Sequence, residues 1–362
     1  MDTLSILHSG ASPNHREVDG INSLIWTLAA GQAARGDVVA LQLLGEPNIA
    51  TKAFADERGI KLISGWDETN PDIVHCHSVF IPAQVALCRS ARGRLIPYVI
   101  TPNGGLAAEI LSRGRLKKTL YSIFVERPRF SGAAAIIGVM PPERADIANF
   151  VPRYRGRVAV IPNAIEDVVL SRYRWQRQEH RDRRKLVYLG RFDVDHKGID
   201  LLAAVAGVLA ETDIHIYGRG SSRAIVQLQR DRPRNLHFHE PVYDEEKIKV
   251  LLDADMYVQM SRWEVFGISV AEAMSLGVPC AITESMYLAS EMKDHGLGLT
   301  IPLDPVIAAE KIRAALSDAM ALQSWSTSAR QHALSAFGAN TVIVSYAHLY
   351  REVANAEMRF DA

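Results

Sequence analysis

Glu264 and Glu272 stand with seven residues between them in the run Ser261-Arg262-Trp263-Glu264-Val265-Phe266-Gly267-Ile268-Ser269-Val270-Ala271-Glu272-Ala273-Met274. The apolar stretch before it, Ala254 to Met260, is of strand type. The Ala-rich stretch after it reads as a helix that ends at Gly277 and Pro279. Glu264 therefore belongs to a strand-to-helix loop and Glu272 to the helix itself. Between them, the first helical turn offers free backbone N–H groups at the positive end of the helix dipole, which suits a phosphate. A carboxylate on either side can accept hydrogen bonds from sugar hydroxyls. The same spacing also fits a buried, capped helix with one stray glutamate.

Two cations add to this chemistry. Arg191 follows the apolar run Leu186 to Gly190, so it lies at the carboxyl end of a strand, where ligands of open α/β sheets bind. Lys197 comes six residues later. Together they can set two fixed positive charges beside a leaving phosphate, or they are two surface bases in a charged loop. Gly20 precedes a helix and suits backbone contact with phosphate from the N-terminal half, although Asp19 beside it would repel one unless it points away. Asn103, in Thr101-Pro102-Asn103-Gly104-Gly105, follows another strand and can hydrogen-bond a sugar hydroxyl but cannot shuttle a proton at neutral pH.

The elements that must position these groups alternate. Apolar, β-branched runs at Leu4 to His8, Val38 to Leu44, Ile73 to His77, Tyr98 to Thr101, Ala134 to Gly138 and Val158 to Ile161 have helical segments between most of them. The pattern begins again at Leu186 and runs through Ile214 to Tyr217, Leu236 to Phe238, Met256 to Gln259, Cys280 to Thr283 and Leu297 to Ile301. Such alternation predicts parallel, doubly wound sheets in two similar halves. Glu166 to Lys185, polar and rich in arginine, reads as linker and domain edge, a solvated connector rather than a site for an acidic partner.

These motifs, in this order, resemble the retaining glycosyltransferases of family 4. The two-glutamate segment is joined by Leu189-Gly190-Arg191-Phe192 with His196-Lys197-Gly198, by Val160-Ile161-Pro162-Asn163, by Pro71-Asp72-Ile73-Val74-His75-Cys76-His77 and by Asp19-Gly20. The resemblance implies the α/β GT-B fold, two Rossmann-like domains facing a cleft. The N-terminal one would take residues 1–165 plus a final helix, about 341–362, that crosses back. The donor-binding one would take 166–340. It implies sugar transfer from a UDP- or GDP-sugar to an acceptor hydroxyl, with neither metal nor cofactor. Arg191, Lys197, Glu264 and Asn103 would be catalytic, with Glu272 on the ribose. Gly20, Gly104, Gly218, Val242, Phe266, Gly267, Ile268 and Ser269 would bind the donor, and the Phe266 side chain can equally be a core aromatic. An epimerase, a phosphorylase or a non-catalytic nucleotide-sugar-binding subunit on the same architecture remains open.

Bulk properties narrow the class. The chain has 362 residues, more than one core usually holds, and 48% are hydrophobic. Lys+Arg and Asp+Glu both total 41, so no global charge points to nucleic acid. Cys76, Cys88 and Cys280 are odd in number and scattered, which suits a reducing cytosol. The start lacks the basic region of a signal peptide, and no apolar run is long enough to span a bilayer. Cytoplasmic placement follows, with any membrane contact peripheral. Arg113, Arg115, Lys117 and Lys118, near Leu116, Leu120, Ile123 and Phe124, read either as a solvated helix face or as a patch for anionic lipid or a lipid-linked acceptor. Alternation puts His75 and His77 on one face of a strand; a metal site needs more ligands than these, so a structural role is expected.

Overall fold

The computed structural model describes residues 3–15, 20–65, 68–111, 115–166, 170–179 and 181–358. Two compact units divide the chain. The first comprises Met1–Ala164 with Ala339–Ala362, the second Ile165–Gly338.

The first unit holds a seven-stranded sheet. Its strands are β1 (Ser5–Ala11), β2 (Val38–Leu43), β3 (Lys61–Ile63), β4 (Ile73–His77), β5 (Tyr98–Thr101), β6 (Ala135–Gly138) and β7 (Arg157–Val160). Their order is β3-β2-β1-β4-β5-β6-β7, and every pairing is parallel. The central strands β4, β5 and β6 are buried along their whole length. That is why β5 and β6 read as nearly continuous rather than alternating apolar runs, whereas β4 buries His75 and His77 as well. The short edge strand β3 escapes the sequence pattern: Lys61 is exposed and three residues carry too little periodicity to read.

The second unit holds six parallel strands: β8 (Arg184–Leu189), β9 (Thr212–Tyr217), β10 (Leu236–His239), β11 (Met256–Gln259), β12 (Cys280–Thr283) and β13 (Leu299–Ile301). Their order is β10-β9-β8-β11-β12-β13. β9 alternates buried and half-buried residues, with Asp213, His215 and Tyr217 on its more open face.

The long helix Ala339–Met358 belongs to the first unit. Val342, Ile343, Tyr346, Leu349, Tyr350 and Val353 pack with Leu4, Ile6, Leu24, Leu28 and Ile73 in one core. The helix Gly20–Ala34 shares that core through Leu24 and Leu28 and turns Ile25, Trp26 and Ala29 into another.

The arginine-rich segment before β8 is largely exposed, Arg172, Arg174 and Arg183 among its exposed residues, but it is pinned at several points. Trp175 is buried, its indole N–H donating to the Ala254 carbonyl at 2.6 Å. Arg181 pairs with Asp253 and Asp255, Arg184 reaches Asp255 at 3.0 Å, and Arg183 reaches Asp213 at 3.0 Å. Three of its arginines thus tie this segment to the second unit. The cysteines are also less scattered than they look, because Cys76 on β4 and Cys88 on the helix Pro82–Gly93 lie 3.5 Å apart as buried free thiols.

Candidate functional site

The helix Ile268–Leu276 begins after Gly267, whose φ of 77° is left-handed, and ends at Gly277 with φ 79°. The reversed conformation at Gly267 turns the chain sharply out of the preceding loop. The amides of Val270 and Ala271 return to the Gly267 carbonyl at 2.9 and 3.1 Å. Those of Ile268 and Ser269 precede the first complete turn and have no intrahelical acceptor. Gly267, Ile268 and Ser269 are half-buried, so this helix end is open to a ligand. Phe266 contributes differently: its ring is buried edge-on against Phe337, centroids 5.0 Å apart, and only its backbone is available.

Ahead of that helix end, Lys197 Nζ donates to Glu264 Oε2. Gln259 Nε2 reaches the same oxygen at 3.3 Å, and is itself held by the Tyr257 hydroxyl on its Oε1 at 2.9 Å. His196 Nε2 stands 3.8 Å from Glu264. Burial first, then the Lys197 ammonium, push the His196 imidazole down to about 4, so it is neutral at pH 7 and this contact is no ion pair. The ring instead stacks on Trp263, centroids 3.9 Å apart. Arg262 grips Asp200 through two bonds of 2.8 and 2.7 Å, and its amide donates to the His196 carbonyl at 2.8 Å. The bidentate pair fixes the loop that carries Glu264 to the helix Ile199–Val208, and the Arg262 amide fixes it to the loop that carries Lys197.

Glu272, one face along the helix, receives Lys247 Nζ at 2.6 Å. Arg191 is two-thirds exposed, with Asp193 at a loose 3.8 Å. It lines a depression of about 710 Å³ with Phe192, Gly218, Gly220, Phe238 and His239. Gly218 is required there: a Cβ on it would stand 1.8 Å from the Gly190 carbonyl oxygen. Val242 lies half-buried in the loop after β10. Asp193 Oδ1 caps the His196 amide at 2.9 Å, and Asp195 is exposed.

Arg191, Lys197, Gly218, Val242, Phe266, Gly267, Ile268, Ser269, Glu264 and Glu272 all sit in the second unit. Gly20, Asn103 and Gly104 sit in the first. Gly20 opens the helix Gly20–Ala34; Asp19 lies outside the described residues. Asn103 donates from Nδ2 to the Thr101 carbonyl at 3.3 Å, while its Oδ1 is buried without a partner among the described residues. Sequence reasoning did not reach Lys247, Gln259 or the Arg262–Asp200 pair. Lys247 lies in Asp-Glu-Glu-Lys-Ile-Lys, an ordinary charged helix face with no motif around it.

A third histidine joins the expected two. His8 on β1 lies in register with His75 on β4, and the rings of His8, His75 and His77 form one buried cluster. Hydrogen bonds occupy five of the six ring nitrogens. His8 bonds Gln32 at 2.7 Å and His77 at 3.0 Å; His75 bonds Tyr350 at 2.5 Å and Thr101 at 2.7 Å. His77 Nδ1 is left without a partner among the described residues. These bonds tie the helices Gly20–Ala34 and Ala339–Met358 to the sheet, which is a structural role.

The basic stretch differs from expectation in one respect. Lys118 is half-buried and turned inward, donating to the Ile110 carbonyl at 3.1 Å over the Phe80 ring. Arg113 lies outside the described residues, as do the side chains of Arg115 and Lys117. Leu120, Ile123 and Phe124 are exposed, Phe124 to 72%. Among the described residues, no helix is long and apolar enough to cross a membrane.

Comparison with known proteins places this arrangement. Residues 171–332 match the family model of glycosyl transferases group 1, and residues 27–164 match the glycosyl transferase 4-like domain. The chain is 24% identical over 361 residues to a glycogen synthase of Mycobacterium tuberculosis, covering 96% of this chain and 80% of that one. It is 27% identical over 262 residues to a phosphatidyl-myo-inositol mannosyltransferase of Propionibacterium freudenreichii, covering 69% and 62%. Among solved structures it is similar to a sucrose-phosphate synthase from Thermosynechococcus elongatus, with TM-score 0.76, 18% identity and coverage of 98% and 100%. It is also similar to Anabaena HepE in complex with UDP-glucose, with TM-score 0.73, 15% identity and coverage of 96% and 100%. Two parallel-sheet Rossmann-like units, the two-glutamate helix and matches to both family models together assign the chain: it belongs to the group 1, family 4-like glycosyltransferases of the GT-B fold.

Proposed function

We propose that the chain is a retaining glycosyltransferase that moves a hexose-type sugar from a UDP- or GDP-sugar to an acceptor hydroxyl, without a bound metal or cofactor. The observation that carries this reading is the pairing of Lys197 with Glu264 ahead of the open amides of Ile268 and Ser269. A cation for the leaving diphosphate, a carboxylate for sugar hydroxyls and a helix N-terminus for phosphate converge there. Glu272 supplies a second carboxylate farther along, suited to the ribose hydroxyls. Arg191 is exposed enough to swing onto a diphosphate.

In this mechanism the bond between the anomeric carbon and the phosphate oxygen breaks. The acceptor oxygen bonds that carbon on the same face, and its proton passes to the departing phosphate. Arg191, Lys197 and the helix amides hold the charge that develops on the diphosphate. Asn103 needs only to accept a hydrogen bond, and its unpartnered Oδ1 can do so.

The names of two similar proteins support parts of this reading. One solved neighbour holds UDP-glucose, and one relative is a phosphatidylinositol mannosyltransferase, which supports a saccharide or lipid-linked acceptor. The exposed Leu120, Ile123 and Phe124 support contact with a membrane surface; the pathway we propose is bacterial polysaccharide or glycoconjugate synthesis, at the cytoplasmic face. A thermal-shift screen of UDP- and GDP-sugars tests the donor, because a bound ligand raises the apparent stability. Transfer or donor hydrolysis by the purified chain separates an enzyme from a binding subunit. NMR of the product then reads the anomeric configuration, and inversion would refute the retaining mechanism.

A further inference from the structure

Glu143 is a buried carboxyl that no motif drew attention to. It opens the helix Glu143–Phe150 and is 1% exposed. Its Oε1 accepts the Gly104 amide at 2.9 Å, and its Oε2 accepts the Val139 amide at 2.6 Å. One side chain thus joins the end of β6 to the loop after β5. The fit is close: a Cβ on Gly138 would come within 3.1 Å of Glu143 Cβ.

The loop it grips is unusual. Asn103 and Gly104 are both left-handed, with φ of 50° and 78°. A non-glycine residue held there is strained, even though asparagine tolerates it better than most. The turn is closed by the Gly105 amide on the Pro102 carbonyl at 3.0 Å. On its other side, the chain of bonds from Tyr350 through His75 to Thr101 anchors the strand end that the loop leaves. Asn103 Oδ1 emerges from this frame buried and unpartnered among the described residues.

We propose that Glu143 is a positioning residue for sugar transfer: by holding the Gly104 amide it keeps Asn103 in the left-handed conformation that leaves its Oδ1 free to accept a hydrogen bond from a sugar hydroxyl. The proposal rests on the glycosyltransferase reading above. Glutamine has the same shape but faces one of the two amides with an NH₂ group, so Glu143→Gln breaks half of the grip without opening a cavity.

The test is a double-mutant cycle of Glu143→Gln and Asn103→Ala, using the nucleotide sugar that the donor screen selects. Glu143→Gln is expected to lower kcat by roughly ten- to a hundredfold, the scale of a misplaced group near the reacting centre. KM and UDP or GDP affinity, which rests on residues of the other unit, should stay within about twofold of wild type. The double variant should be no slower than Asn103→Ala alone, because the two residues act as one. If circular dichroism or thermal melting shows that Glu143→Gln misfolds, Glu143→Asp, which keeps the charge but draws it back, carries the same comparison. A kcat within twofold of wild type, or effects that multiply in the double variant, would overturn the proposal. A wild-type chain that neither transfers nor hydrolyses any donor would instead refute the glycosyltransferase reading, and the positioning role with it.

Discussion

Lys197 and Glu264, 67 residues apart, are bound to each other through Nζ and Oε2, whereas Arg191 reaches only Asp193, at 3.8 Å. The two cations of the site are therefore held differently. Lys197→Ala leaves a mostly buried carboxylate without its main partner, and Arg191→Ala removes an exposed side chain. Both substitutions should cut kcat by roughly a hundredfold or more, the scale of losing one preorganised charge contact. Only Lys197→Ala should also lower the melting temperature measurably. Turnover near wild type in either variant removes that residue from the site.

The two glutamates should separate by ligand. Glu272→Ala is expected to weaken UDP or GDP binding by about 1.5–3 kcal/mol, the worth of a hydrogen bond to a charged group. Glu264→Ala should spare the bare nucleotide and weaken the intact sugar donor. Calorimetric titration of both ligands into both variants decides this, and equal losses across all four combinations would contradict the assigned roles.

Metal dependence gives a third check. In the proposed mechanism Arg191, Lys197 and the amides at Ile268 and Ser269 take the charge of the diphosphate, so EDTA should leave transfer nearly intact. Abolition by EDTA with recovery on adding magnesium or manganese would overturn the mechanism.

Acid should destabilise the first unit. Burial pushes His8 down to about 4 and His75 and His77 well below the ordinary 6.5, so all three fold as neutral rings. Their contribution is fully present above about pH 6.5 and is lost as pH falls, because the unfolded chain takes up protons that the folded one refuses. Each can add up to about 1.4 kcal/mol per pH unit to the slope. Glu143 works the other way: burial raises it to about 7, so its contribution is lost as pH rises from 4.5 through 7. Three histidines outweigh one glutamate, and urea midpoints should fall between pH 6.5 and 5. A flat profile over that range would contradict the neutral, buried cluster.

Membrane binding should depend more on the apolar side chains than on the bases alone. Each base near an anionic surface contributes on the order of 1 kcal/mol, and salt weakens it. Lys118 is engaged with Ile110, which leaves Arg113, Arg115 and Lys117 as candidates. The chain should sediment with phosphatidylglycerol vesicles at low salt and leave them at high salt. Replacing those three bases with glutamine, or Leu120, Ile123 and Phe124 with serine, should reduce sedimentation while nucleotide binding persists. Wild type that ignores such vesicles would favour an acceptor free in solution.

The sequence by itself determined the parallel α/β class, the buried central strands and the loop-to-helix run that carries both glutamates. Each of these is local: β4 shows its burial in its own five residues, and Gly267 and Gly277 bound a helix only nine residues long. It could not show what meets across the fold. His8 joins His75 only because β1 lies beside β4, and Glu143 finds Gly104 only because β6 lies beside β5. Lys247 and Glu272 sit in separate helices, and the arginines at 181–184 looked solvated until Asp213, Asp253 and Asp255 came to meet them. Periodicity reports which face of a segment is buried, but not what that face is buried against. Strand order and helix packing decide the partners, and so they alone set which carboxylates are paired, which imidazoles are neutral and which amide holds the Asn103 loop.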